Sequence, residues 1–172
     1  AAQPIVLASS QDPLATLQTN IMGTANVLET LRTLENTCKA VMITSDKCYD
    51  NVEWLWGYRE TDALGGKDPY SASKSAAELV IKTYYHSFFK QPDSKIKLVS
   101  TRAGNVIGGG DWAESRIVPD CMRAWSEDQK VKIRNPNSTR PWQHVLEPLS
   151  GYLRAAQALE EDASKIHGEP FN

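Results

Sequence analysis

The chain has 172 residues, 41% of them hydrophobic, with 19 Lys and Arg against 21 Asp and Glu. A chain of that size buries one core, or one core and part of a second. The near-balanced charge excludes the basic footprint of a nucleic-acid binder and the acidic block of a disordered tail.

Cys38, Cys48 and Cys121 form an odd, scattered set without metal-ligand spacing, which suits a reducing compartment. No apolar stretch reaches the ~18 residues of a membrane helix. The opening residues lack the charged lead and apolar core of a signal peptide. These features predict a soluble cytoplasmic protein that binds neither nucleic acid nor membrane. The chain opens on "AAQPIV" without a Met and closes on "GEPFN", where an extended segment begins. It therefore reads as an internal piece of a longer protein.

In chain order, Asp12-Pro13 predicts a capped helix start with proline at the first helical position. Leu14, Leu17, Ile21, Val27, Leu28, Leu31 and Leu34 then recur at helical spacing. "AVMIT" (40 to 44) predicts a parallel strand covered on both faces. A loop rich in Trp and Gly leads to Asp68-Pro69, a second capped start, whose helix carries Ala72, Ala76, Leu79, Val80, Tyr84 and Phe88. "IKLVSTRAG" (96 to 104) reads as a strand, and "NVIGGGDW" as too glycine-rich for a regular element. A helix near 117 to 127, an edge strand "VKIR" and a helix from about 147 to 161 complete the chain. Alternating helices and strands predict an α/β fold with a parallel sheet. Ligands of such sheets bind beyond the carboxyl ends of the strands, where "SDK" and "RAGN" both fall.

"ITSDKCYDN" places the hydroxyl of Ser45, the carboxylate of Asp46 and the amine of Lys47 at one such strand end. An adjacent charge pair there is by itself as well explained by solvation. "YSASK" adds Tyr70 and Lys74, four residues apart and so on one helical face. A free Tyr titrates near ~10 and is a poor base at neutral pH. A neighbouring ammonium and the free amides of a helix N-terminus both favour phenolate, predicting a lowered Tyr70 pKa. Tyr-x-x-x-Lys recurs by chance, but its place after an acidic, hydroxylic strand end favours catalysis.

"AAQP", "TNIMGT", "TSDK", "DPYSASK" and "TRAGNVIGGGDW", in this order, resemble the extended short-chain dehydrogenase/reductase family of NAD-dependent nucleotide-sugar enzymes. "TSDKCY", "GYRE" and "RPWQHVLEPLSGYL" narrow the resemblance to its CDP-glucose 4,6-dehydratase subgroup. It implies a Rossmann-like NAD-binding sheet with catalytic residues over 1–104, and a nucleotide-sugar (CDP-glucose) binding region over most of 105–172. The family's glycine-rich dinucleotide fingerprint precedes these motifs and is not in this sequence. The implied reaction oxidises the sugar at C4, eliminates water across C5 and C6, and returns the hydride to C6.

By the same resemblance, Tyr70 is the base at the C4 hydroxyl, Lys74 assists it, Ser45 bonds the same oxygen, and Asp46 is the acid at C6. Lys47 stands where related dTDP-glucose dehydratases carry a glutamate base. It is either desolvated enough to take the C5 proton or stays charged beside the enolate, and both readings remain open. Cys48 and Tyr49 read as packing. Ala1, Ala2, Gln3 and Asn20 match positions beside the nicotinamide. Asn105, Arg116 and Arg140 match substrate phosphate contacts, for which a guanidinium is suited. A homodimer or higher homo-oligomer through a four-helix contact is the family's usual assembly. His86, His144 and His167 are scattered, so no metal is expected, and Trp54 and Trp56 read as loop anchors. The competing readings are a nucleotide-sugar epimerase or reductase, which has no need of Asp46 beside Lys47, and a non-catalytic module, which has no need to keep both Tyr70 and Lys74.

Overall fold

The computed structural model describes residues 2–172. A short helix α1 (Val6–Gln11) precedes α2 (Pro13–Leu17), which runs through a π-helical turn (Gln18–Met22) into α3 (Gly23–Arg32). Asp12 caps α2, its Oδ1 accepting from Ala15 N at 3.0 Å. Strand β1 (Cys38–Ile43) and a 3-10 turn (Asp46–Cys48) follow. A loop over 50–66 leads to α4 (Pro69–Tyr84), extended by a second π-helical turn (Tyr85–Phe89). After β2 (Ile96–Thr101) come β3 (Asn105–Ile107), α5 (Ile117–Ser126), β4 (Trp142–His144), α6 (Leu146–Asp162) and β5 (Pro170–Phe171).

The fold is α/β, and every pairing between named strands is parallel. β1, β2 and β5 form one sheet in that order, with Cys38 opposite Ile96 and Ile43 opposite Thr101. β3 and β4 form a separate pair. Leu28, Ile81, Phe89, Ile96 and Leu98 make the core, joined by Leu31, Ala40, Met42 and Tyr84. Full burial of one such side chain contributes about 1.5–3 kcal/mol, so this cluster fixes α3 and α4 on the sheet. The last helix and strand return to that sheet, α6 against β1 and β2, β5 beside β2.

Four expectations need correction. "VKIR" forms no strand: Ile133 is exposed, and no neighbouring strand among the described residues offers it a ladder. The start of "NVIGGG" is a strand, because β4 supplies the partner that composition does not reveal. Among the described residues β1 is a sheet edge and only partly covered: Ala40 and Met42 join the core on one face, while on the face against α6 Lys39 and Ile43 stay exposed. In α4 the covered face carries Ser73, Lys74, Ala77, Glu78 and Ile81, while Leu79 and Phe88 are exposed. Glu78 occupies that face because Thr44, Ser100 and Arg102 at the strand ends give it partners, and Ser73 is held there by Asn20.

Candidate active site

The sheet ladder continues past β1 and carries the next residues into the site. Thr44 N donates to Thr101 O at 2.8 Å and Asp46 N to Ala103 O at 3.1 Å. Ser45 is extended (φ −163°, ψ 152°), and its Oγ accepts from Lys47 N at 3.3 Å, capping the 3-10 turn. Ser45 Oγ also donates to Asp46 Oδ1 at 3.2 Å. Lys47 Nζ lies 3.0 Å from both Oδ1 and Oδ2 of Asp46. All three side chains are half-buried.

Asp68 caps α4: its Oδ1 accepts from Ser71 N at 3.0 Å and its Oδ2 from Ser71 Oγ at 2.7 Å. That start places Tyr70 in the first turn. Ser9 of α1, wholly buried, accepts from Tyr70 N through its Oγ at 3.1 Å, so the short unanticipated helix fixes the start of α4. Tyr70 and Lys74 share a face, with Lys74 Nζ 5.9 Å from the Tyr70 ring centre.

The expected lowering of the Tyr70 pKa is not what the surroundings produce. Burial pushes the phenol up, the Ser45 hydroxyl and Arg116 guanidinium pull it down, and Asp46 and Asp68 push it up again. Desolvation disfavours phenolate more than the cations favour it, and Lys74 lies over the ring rather than at the oxygen. Lys74 itself is only 7% exposed. Burial lowers its pKa, opposed by Glu78 and Cys48.

Of the residues assigned to the nicotinamide side, Ala1 lies outside the described residues and Ala2 is exposed. Gln3 and Asn20 form a bracket: Gln3 N donates to Asn20 Oδ1 at 2.8 Å, and Asn20 Nδ2 donates to Gln3 O at 3.1 Å and Ser73 Oγ at 2.8 Å. Ser73 Oγ donates in turn to Tyr70 O at 2.7 Å. Buried Asn20 thus ties the first segment to the turn that carries Tyr70.

Asn105 opens β3 half-buried, its Oδ1 enclosed without a partner. Arg116 stands at the start of α5, close enough to Tyr70 to bear on its titration. Its Nε is 3.1 Å from Asp111 Oδ2 but off the line of a hydrogen bond. Arg140 is not brought to this cluster by any contact in the structure. It is exposed, and its Nη1 donates to the carbonyl of adjacent Thr139 at 2.6 Å.

A buried network escaped the sequence reading. Arg102 Nη2 donates to Glu78 Oε2 at 2.8 Å, both side chains less than 5% exposed. Ser100 Oγ donates to the same oxygen at 3.0 Å, and Thr44 Oγ1 donates to Glu78 Oε1. Arg102 Nη1 reaches Tyr49 OH at 2.8 Å and Glu60 O at 3.0 Å. Tyr49 OH donates to Asn172 Oδ1 at 2.6 Å. Cys48 is a wholly buried packing residue as expected, whereas Tyr49 is a hydrogen-bonding hub. The available signal was spacing: Tyr70, Lys74 and Glu78 recur every four residues and so share one face. Trp54 stacks on Tyr58 at 5.3 Å and Tyr58 on Tyr49 at 5.1 Å, anchoring the loop to this network. Among the described residues, no cluster of three His, Cys, Asp or Glu side chains could hold a metal ion.

A parallel α/β sheet with a Ser-Asp-Lys strand end above a Tyr-x-x-x-Lys helix defines a protein of the extended short-chain dehydrogenase/reductase class. The chain belongs to the family described as GDP-mannose 4,6 dehydratase, whose model matches residues 1–171. It is 54% identical to CDP-glucose 4,6-dehydratase of Salmonella typhimurium over 96% of this chain and 47% of that protein. It is 27% identical to dTDP-D-glucose 4,6-dehydratase of Dictyostelium discoideum over 78% of this chain and 32% of that one. The chain spans about half the length of the first of these curated relatives and a third of the second. The solved dTDP-glucose 4,6-dehydratase of Streptomyces venezuelae with NAD and TYD bound shares the fold. Its TM-score is 0.81 at 21% identity, over 99% of this chain and 48% of that one. UDP-glucose 4-epimerase of Thermus thermophilus in complex with NAD gives a TM-score of 0.78 at 26% identity, over 99% and 53%.

Proposed function

We propose that the protein containing this chain is an NAD-dependent CDP-glucose 4,6-dehydratase, a hydro-lyase forming CDP-4-keto-6-deoxyglucose. The observation that carries this reading is the Asp46–Lys47 contact, 3.0 Å to both carboxylate oxygens, next to Ser45 and the Tyr70–Lys74 face. The 54% identity to the Salmonella typhimurium enzyme supports the substrate.

The residues present fit the nicotinamide half of NAD. Lys74, only 7% exposed and one turn from Tyr70, is suited to hold a ribose hydroxyl. Ala2, Gln3 and Asn20 lie on the same side, with Asn20 holding Gln3 against the helix of Tyr70. Bound NAD supplies a hydride acceptor at C4 and a donor at C6. The other steps belong to the chain. Tyr70 takes the proton of the C4 hydroxyl, and Ser45 hydrogen-bonds the same oxygen. The 4-keto group then acidifies C5. The elimination is assigned to Lys47 as the amine and Asp46 as the carboxylic acid, whose side chains are in contact at 3.0 Å. The amine accepts the C5 proton, and the acid protonates the departing C6 hydroxyl, which leaves as water.

Asn105, Arg116 and Arg140 are assigned to the diphosphate. On this reading 1–104 supply the cofactor and catalytic side and 105–172 most of the sugar-nucleotide side. The exposed Leu14, Met22 and Val27 of the α2–α3 helix, with Leu79 of α4, give an apolar face for a homodimer or larger homo-oligomer. A shallow groove of about 550 Å³ lined by Leu14, Leu17, Ile21 and Met22 lies on it. No helix among the described residues is long and apolar enough to cross a membrane, in keeping with a cytoplasmic location.

The test is incubation of the full-length protein with NAD and CDP-, dTDP-, UDP- or GDP-glucose, with products read by mass spectrometry and NMR. A 4-keto-6-deoxy sugar formed fastest from CDP-glucose is expected. A 4-epimer would establish the epimerase instead, and binding without turnover the non-catalytic module.

A further inference from the structure

The buried Glu78–Arg102 pair has a placement that packing alone does not require. Replacing a buried ion pair by apolar residues of similar volume is often neutral or stabilising, so its presence is weak evidence of a stabilising role. Its contacts are more informative. Ser45, Asp46, Lys47 and Cys48 form a four-residue segment between Thr44 and Tyr49. Thr44 Oγ1 donates to Glu78, and Arg102 Nη1 donates to Tyr49 OH at 2.8 Å. Each end of the acid–base segment is therefore held by one member of the pair. Glu78 stands one helical turn beyond Lys74 and two beyond Tyr70 on the same face of α4. Arg102 leaves β2 beside the site and also grips the loop at Glu60 O.

We propose that Glu78 and Arg102 are positioning residues, which lock the Tyr70–Lys74 helix in register with the Ser45–Lys47 strand end and keep a carboxylate one turn beneath Lys74. A planar guanidinium with several fixed donors suits a joint among helix, strand end and loop, whereas an ammonium offers no such fork. The groups facing Lys74 are Tyr70 and Glu78 from its own helix and the Cys48 thiol from the turn after β1. Glu78 holds the Lys74 pKa up against burial.

This inference rests on the catalytic reading of Tyr70 and Lys74, and its test separates the two. In the full-length protein, Glu78→Gln is expected to lower kcat by on the order of 10²-fold, as a misplaced catalytic group does, with KM for the nucleotide sugar within a few-fold. The Lys74 titration, followed by NMR of carbon-labelled lysine, and the alkaline limb of the kcat profile should move to lower pH together. The double variant Glu78→Met/Arg102→Leu removes both charges at similar volume and is expected to fold, yet to keep the low kcat and displaced limb. Wild-type kcat and pH profile in the double variant, or an unmoved Lys74 titration in Glu78→Gln, overturns the proposal. A wild-type protein that turns over no sugar would sink the catalytic reading, while the Lys74 titration would still decide the pair.

Discussion

Lys47 Nζ is equidistant, at 3.0 Å, from the two carboxylate oxygens of Asp46. That contact sets side by side the two groups proposed for the elimination, Lys47 for the C5 proton and Asp46 for the C6 hydroxyl. Adjacent residues on a flat strand would point to opposite faces, and it is the 3-10 turn at Asp46–Cys48 that brings these two together. In the full-length protein, Lys47→Met should leave C4 oxidation in place and stall elimination, so that the 4-keto sugar with its C6 hydroxyl accumulates. Exchange of the C5 hydrogen with deuterated water, read by mass spectrometry in a single turnover, should be lost. Persistent exchange would assign the C5 proton to another group and leave Lys47 an electrostatic part. Rate loss alone does not distinguish these, because a charge contact of that kind can be worth ~10²–10³.

Tyr70→Phe deletes one hydroxyl and few binding contacts. Turnover is expected to fall by roughly 10²–10⁴-fold while nucleotide-sugar affinity, measured by calorimetry, stays within a few-fold. Near-normal turnover would remove Tyr70 from the mechanism.

Arg116 and Arg140 should separate by pH. Loss of either proposed charge-assisted phosphate contact, worth about 1.5–3 kcal/mol, should weaken sugar-nucleotide binding roughly ten- to hundred-fold. Only Arg116 bears on Tyr70, where it pulls the phenol pKa down. Arg116→Ala should therefore raise that pKa and move the acid limb of kcat/KM to higher pH. Arg140→Ala should leave the limb in place. Equal limbs in both variants would show that Arg116 does not face the base.

Cys48 makes an alkaline weakness. Burial pushes its thiol from 9.0 up to about 12, with Arg102 pulling down and Glu78 and Asp46 pushing up. A folded pKa above the unfolded one means that the folded state resists ionisation. Stability is thus fully retained below about 9 and falls as pH rises towards about 12, by up to ~4 kcal/mol from this group. Melting temperatures measured across that window should decline, and Cys48→Ala should flatten part of the decline. An unchanged slope in the variant would place the alkaline weakness in the buried tyrosines.

Much of this arrangement was legible in particular residues. Asp12-Pro13 and Asp68-Pro69 marked both helix starts because a cap and a first-turn proline act locally. The apolar runs around 40–43 and 96–101 marked β1 and β2 because their side chains carry the signal themselves. Ser45, Asp46, Lys47 and Tyr70 were singled out by their chemistry, and the structure sets them near one another. What escaped depended on distant partners. α1 is six residues without a side-chain cap, fixed in part by the bond from Tyr70 N to Ser9. Glu78 and Arg102 are 24 residues apart, and a charged residue on a helix ordinarily reads as solvated. The Tyr70 pKa went the other way because burial is a property of the packed molecule, not of the motif.

Gly66 sits where the loop meets the first turn of α4. A Cβ there would lie 2.3 Å from Ala72 N and 2.5 Å from Ser71 C, both backbone atoms that no rotamer change can move. Loop and helix start therefore share one mechanical boundary. Displacing the 50–66 segment towards Ser71 and Ala72 by the width of a methyl group means lifting the turn that carries Tyr70. The alignment of Tyr70 is thus shared with the loop, whose far part is held by the stacking of Trp54 on Tyr58 and Tyr58 on Tyr49.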